Sequence, residues 1–361
     1  MFLIRTLAAT LLPTLLAFTP IVAEEESRMS LPEGNSGIAS SYPGDAGIAD
    51  DPSVVFAESF EGLSEPQELR NRWESVRHEE LISFPADVPR GSAGKQSFLT
   101  SHVGGESNGA DLYTRLLPGY DKLHFRFYTK FDPDCNPIHH YAGIGGHNPS
   151  TDGPRGGAGT RPRGDDRLSC GVEPHGKNWT WDYYAYWMGM GGSPPEGKTW
   201  GNSFIHNNSL KVTRGEWISC ELMIKLNEDM EGHDGEMALW IDGKLVSHVG
   251  PGFPKGLWTY DKFAPGRGGE NGIRFDDELG KGVTYPVPEG GLPFEGFRWR
   301  KDPALQLNYI WMQVYITTAP KGHLSKIYYD DVVVATEYIG PIRAEPSKEE
   351  AVQEESPHKN R

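Results

Sequence analysis

Two stretches of the chain place aromatic and hydrogen-bonding side chains on every second residue. In residues 181–190 (WDYYAYWMGM), Asp182, Tyr184 and Tyr186 share one side, with Trp181, Tyr183 and Trp187 on the other. In residues 308–317 (NYIWMQVYIT), Tyr309, Trp311, Gln313 and Tyr315 alternate with Ile310, Met312, Val314 and Ile316. Successive side chains of an extended strand point to opposite faces, so each stretch predicts one face rich in aromatic and polar tips. Rings able to stack on pyranose faces, mixed with hydroxyls and an amide, are what a sugar-binding groove requires. The plainer alternative is that amphipathic Tyr and Trp cover a sheet beneath a loop. One such strand would favour that alternative; two leave both readings open.

Ahead of both strands the loop 145–169 (GGHNPSTDGPRGGAGTRPRGDDRLS) carries Arg155, Arg161, Arg163 and Arg167 in an otherwise acidic chain. Guanidinium groups clustered this way can bind carboxylate or sulfate through paired hydrogen bonds. Equally, they can pair with Asp152, Asp165 and Asp166 of the same loop and remain a solvated charge run. The three cysteines are Cys135, Cys170 and Cys220. Cys135 and Cys170 flank one long loop and could pair, while three buried thiols fit as well. No Cys-x-x-Cys and no His-Glu-x-x-His occurs, which removes support for a structural zinc or a zincin-type protease.

The elements that must position these residues are strands. With 361 residues, 44 Gly, 28 Pro and 11% aromatics, the chain predicts an all-β architecture and excludes coiled coil and helical repeat. A net charge of -15 repels phosphate backbones, so no nucleic-acid partner is expected. Residues 1–23, apolar after Arg5 and ending in Ala23, read as a secretory signal peptide. The mature protein is then expected outside the cell or in the periplasm, with no membrane attachment. Residues 24–53 read as a flexible lead-in, 54–342 as one β domain with long loops, and 343–361 as a disordered tail. Period-two alternation predicts strands at 122–131, 216–226, 308–317 and 326–339. A hairpin over 235–249 is predicted to turn on Asp242-Gly243. Long Gly- and Pro-rich crossings without a βαβ rhythm suggest a two-sheet sandwich.

Residues 122–341 resemble the concanavalin A-like jelly-roll polysaccharide lyases, nearest to polysaccharide lyase family 14 and the glucuronan lyases. The resemblance rests on KLHFRFYTKF at 122–131, HYAGIGG at 140–146, the Tyr184-Ala185-Tyr186 strand, and GNSF, RGEWISCELMIKLN and DGEMALWIDGKLV within 201–249. The ending YYDDVVVATEYIGP adds to it. What it implies is a β-jelly roll that cleaves, by β-elimination, an anionic polysaccharide containing uronate. Two departures stand out. His140 occupies the place of the family's catalytic Lys. The expected Ser-x-Arg strand falls near Ser169-Cys170-Gly171-Val172 with no Arg in step.

The resemblance implies a set of roles. His140 is the base, or else His139, which points to the opposite face if the segment is a strand. Tyr184 or Tyr186 is the acid. Arg163 or Arg167, helped by Gln313, neutralises the carboxylate, while Tyr309, Trp311 and Tyr315 line the groove. No cofactor is required; a structural calcium, held by Glu58 and Asp331, is the one ion the superfamily suggests. The alternative is a secreted, non-catalytic carbohydrate-binding protein using the same groove, which the missing Ser-x-Arg element favours. A retaining glycoside hydrolase would need two carboxylates about 5 Å apart, conventionally as Glu-x-Asp-x-Glu on one strand. No strand here shows that pattern.

Overall fold

A computed structural model describes residues 31–191, 198–276 and 278–343. The predicted signal peptide and the tail beyond Arg343 lie outside the described residues. Two antiparallel sheets carry the fold. The larger has eight strands. Its path runs Lys244–Val249, Glu236–Ile241, Ile218–Lys225, Lys122–Phe131, Leu324–Ala335, Phe98–Val103 and Ile82–Ser83, with Val54–Glu58 also pairing to Leu324–Ala335. The smaller has six, in the order Ser75–Arg77, Asp111–Tyr120, Leu307–Met312, Gly143–His147, Arg167–His175 and Thr180–Tyr186. This is the all-β sandwich of a jelly roll. Among the described residues no helix is long and apolar enough to cross a membrane.

The alternation seen in the sequence builds the core between the sheets. Leu123, Phe125, Phe127 and Phe131 from the larger sheet are buried with Ile144, Leu168, Cys170, Val172, Ile310 and Met312 from the smaller. The predicted hairpin forms, with Asp242 at φ 50° and Gly243 at φ 74°, the positive pair that a two-residue type I′ turn needs. Two predicted strands are shorter than expected. The chain leaves the sheet after Tyr186 and after Met312, although Val314 and Ile316 stay buried.

The lead-in is a correction. Residues 31–53 are not a loose tether but pack on the outer face of the larger sheet. Ile38, Ala39 and Ile48 are buried against Val333, Ala335 and Ile339. The reason lies in the strand Lys122–Phe131, whose second face carries His124, Arg126 and Tyr128, all buried. Such groups need partners when removed from water. Asp45 pairs with Arg126, Glu221 Oε1 lies 2.9 Å from His124 Nδ1, and the Ile342 N–H donates to the Tyr128 hydroxyl at 2.8 Å. Asp45 and Ile342 are single residues of the lead-in and the C-terminal segment, so no periodic pattern announces their contacts. Of the two readings left open for the cysteines, the structure has the unpaired one. All three are buried free thiols, and Cys170 packs its sulfur 3.2 Å from Met237 Sδ across the core.

Candidate active site

The strands Gly143–His147, Arg167–His175, Thr180–Tyr186 and Leu307–Met312 are neighbours in the smaller sheet. Side chains of alternate residues therefore gather on its open face. Register sets the neighbours: Ser169 stands opposite Tyr186, Gly171 opposite Tyr184, and Glu173 opposite Asp182. A cavity on this face is lined by His140, Glu173, Tyr184, Tyr186, Arg167, Tyr309, Trp311 and Gln313, and by Arg155 of the overlying loop. Glycine at 145 is required here, because a Cβ would run into the Tyr309 hydroxyl.

His140 sits just before the strand Gly143–His147 and is tied by an antiparallel bridge to Tyr315, just past the neighbouring strand Leu307–Met312 of the same sheet. Its Nδ1 lies 3.1 Å from Glu173 Oε1, with the histidine side chain 25% exposed and the glutamate 5%. Burial pushes the Glu173 carboxyl up, and the imidazole beside it pulls back towards the charged form. The His140 ring is 4.8 Å from the Tyr184 ring and stacks at 11° on Tyr315. The Tyr184 hydroxyl is 3.5 Å from that of Tyr186. Burial, reinforced by Tyr186, raises the Tyr184 phenol far above its ordinary range, so it keeps its proton.

Arg167 opens its strand and lays its guanidinium 5.3 Å from the centre of the Tyr186 ring. Thr160 Oγ1 accepts from it at 2.9 Å, the Gly157 carbonyl at 3.2 Å, and the Thr160 carbonyl also accepts. His147 stacks on Tyr309 at 4.8 Å between ring centres. Burial, then the charges of Arg155 and Arg167, push its pKa down to about 4, so near neutrality it is an uncharged hydrogen-bonding group.

No family model and no curated protein matches the chain. Solved structures do. Alginate lyase Aly36B is similar at 13% identity and a TM-score of 0.47, over 82% of this chain and 99% of that one. Alginate lyase vAL-1 from Chlorella virus is 12% identical with a TM-score of 0.47, over 79% and 100%. An endo-beta-1,4-glucuronan lyase from the fungus Trichoderma reesei is 16% identical with a TM-score of 0.42, over 78% and 95%. These three are polysaccharide lyases, and a cellulose induced protein, Cip1, is similar as well, at 12% identity and a TM-score of 0.40 over 79% of this chain and 99% of that one.

Of the residues singled out from sequence, His140, Tyr184, Tyr186, Arg167, Tyr309, Trp311 and Gln313 come together in the cavity. His139 is exposed, with Nδ1 3.1 Å from Thr317 Oγ1, and Tyr315 stands at the edge, lining a second cavity. Arg163 does not join them. It is 71% exposed, with Nε 3.1 Å from Asp165 Oδ1 and 3.7 Å from Asp166 Oδ2. Pairing inside the loop wins because those acids are only two and three residues away. Asp182 shares the face of Tyr184 but is a structural anchor. Its carboxylate accepts the backbone N–H groups of Tyr183, Phe204, Ile205 and His206.

Glu173, His147 and Arg155 complete the cavity and were not assigned from sequence. Glu173 had a readable signal, since Arg167, Ser169, Gly171 and Glu173 fall on one side of their strand. The arginine in step precedes Ser169 by two residues instead of following it. Glu58 and Asp331 border a separate cavity with Asp45 and Glu61. Among the described residues no three His, Cys, Asp or Glu side chains converge closely enough to hold a metal as they stand. Even so, Asp45 Oδ1, Asp330 Oδ2 and Asp331 Oδ2 are buried with no hydrogen-bond partner.

Proposed function

We propose that the protein cleaves a uronate-containing polysaccharide by β-elimination. The observation that carries this reading is a buried carboxylate set against one nitrogen of a half-open histidine, with a protonated tyrosine beside its ring. Elimination removes the C5 proton of a uronate and breaks the C4–O bond to the next sugar. No oxidant or water is consumed, and a C4–C5 double bond forms. With Nδ1–H donating to Glu173, Nε2 of His140 keeps its lone pair and takes the C5 proton. The Tyr184 hydroxyl gives its proton to the departing oxygen. Charge building on the uronate carboxylate is met by Arg167 and Arg155. Absorbance in the ultraviolet during incubation with a panel of uronate polymers tests this, because the new double bond is conjugated with the carboxylate. A flat trace with every polymer would overturn it.

The second reading, a carbohydrate-binding protein without turnover, draws on Gly171. That residue stands where the lyase pattern has its arginine. Retardation of the protein in a polymer-containing gel, with no absorbance change, is its signature.

A calcium ion between Asp45, Glu58 and Asp331 belongs to the same proposal, supported by the unpartnered carboxylate oxygens there. Burial, followed by neighbouring carboxylates, raises Asp330 and Asp331 well above the ordinary range. The folded chain thus holds protons that the unfolded chain releases, and without calcium the melting temperature falls as pH rises past the usual carboxylate values. Excess calcium should remove that fall. A melting curve indifferent to calcium at alkaline pH would refute the ion.

A further inference from the structure

The candidate active site continues past Tyr315. On the far side of that ring lies a second cavity of about 400 Å³, bordered by His102, Ser107, Asn108, Thr317 and Glu106. Its size is within the range of small-ligand pockets. Tyr315 ties the two cavities together, because its ring stacks at 5.7 Å on His140, which lines the first, while it also borders the second. His139 bridges the same boundary, its ring 4.3 Å from His140 and its Nδ1 bonded to Thr317.

The two cavities differ in charge. The first is bordered by Arg155 and Arg167. No Lys or Arg is among the described residues bordering the second, and Glu106 is. The second histidine there, His78, already faces Glu80 at 3.4 Å. A carboxylate or sulfate entering this space would lose water and meet a like charge with no cation to offset it. The polar groups it does offer besides His78 are neutral: the hydroxyls of Ser107, Tyr315 and Thr317, the Asn108 amide, and His102, which is only 1% exposed.

We infer that the cavity beyond Tyr315 is the adjoining sugar subsite and takes an uncharged unit, so that the polymer cut here carries a neutral sugar next to its uronate. The inference rests on the elimination reading for the identity of the ligand class. Tyr315 is the stacking platform of the subsite, and Ser107, Asn108 and Thr317 read the hydroxyls of the neutral unit. A homopolymer of uronate places a carboxylate against Glu106 and is disfavoured.

The test is affinity electrophoresis of the full chain through gels containing alginate, polyglucuronate, or an unsulfated polymer alternating glucuronate with an N-acetylhexosamine. Absorbance is followed on the same polymers in parallel. Stronger retardation by the alternating polymer is expected. Equal or stronger retardation by the homopolymers, or retardation by none, overturns the inference. Absorbance separates the two claims: a flat trace with every polymer ends the lyase reading, while the gels still decide the subsite. Asn108 is exposed on the rim, and Asn108→Lys supplies the missing cation. It should narrow the preference for the alternating polymer by about tenfold, the worth of one charge-assisted contact. A preference unmoved by that change would equally overturn the assignment.

Discussion

Of the histidine–glutamate pairs among the described residues, two join a ring Nδ1 to a buried glutamate, one on each sheet. His140 and Glu173 lie 3.1 Å apart on the open face of the smaller sheet, and His124 and Glu221 lie 2.9 Å apart on the outer face of the larger. The side chains of the second pair are 2% and 3% exposed. Glu221 also accepts the backbone N–H groups of Ile339 and Gly340, and the His124 ring packs on Trp240 and Tyr338. In the first pair only the glutamate is sealed, and the imidazole reaches a cavity. The same two side chains thus form a structural clasp where residues 338–340 cover them, and under the proposed elimination they would supply acid–base chemistry where the imidazole reaches a cavity. Access decides the role, not the pairing.

The strongest way to break this comparison is to remove each histidine. His140→Ala is expected to lower kcat on a cleaved uronate polymer by about 10²–10⁴-fold, the usual worth of a positioned base. It should also destabilise by about 1–3 kcal/mol, because buried Glu173 loses its hydrogen-bond partner. His124→Ala should destabilise by no more than that, since Glu221 keeps two backbone N–H donors, while kcat of the folded fraction is unchanged. Comparable losses of kcat in both variants would erase the distinction.

A smaller effect sharpens it. Glu173→Gln keeps a hydrogen-bonding group but removes the charge that steadies an imidazolium. A kcat loss of roughly ten- to a hundredfold is expected, from the worth of a charge-assisted hydrogen bond. Because burial raises the Glu173 carboxyl, activity in the parent chain should fall on acidification from above the ordinary carboxylate range. That acid limb should weaken in the variant, as the protonated carboxyl resembles the amide. A pH profile identical in the two proteins would assign the limb to another group. Least of all is expected from Arg163→Ala, whose guanidinium pairs within its own loop: kcat and KM should both stay within about twofold of the parent. A large rise in KM would place that loop arginine on the substrate.

Much of the sandwich was legible because burial imposes a period of two on a strand. The strand Lys122–Phe131 has the bounds its alternation predicts, and Tyr309, Trp311 and Gln313 face the cavity their alternation implies. The packing of residues 31–53 was not legible. Ile38, Ile48 and Asp45 are isolated residues among Gly, Ser and Pro, and nothing local says that a sheet face with Arg126 awaits them. Arg163 and Arg167 were equally eligible from the sequence. Only one begins a strand of the sheet, where a fixed backbone aims its side chain over Tyr186.

By itself the amino-acid order determined which side chains share a face, because alternation is a property of neighbours along one strand. It left open whether the aromatic and hydrogen-bonding face of those strands lines a groove or is covered by a loop. Which strands lie side by side, and therefore that Glu173 meets His140 from 33 residues away, is decided only when the sheets assemble. So is the difference between the two histidine pairs. Burial and access depend on what the rest of the chain lays over a residue, and that information is in no single segment.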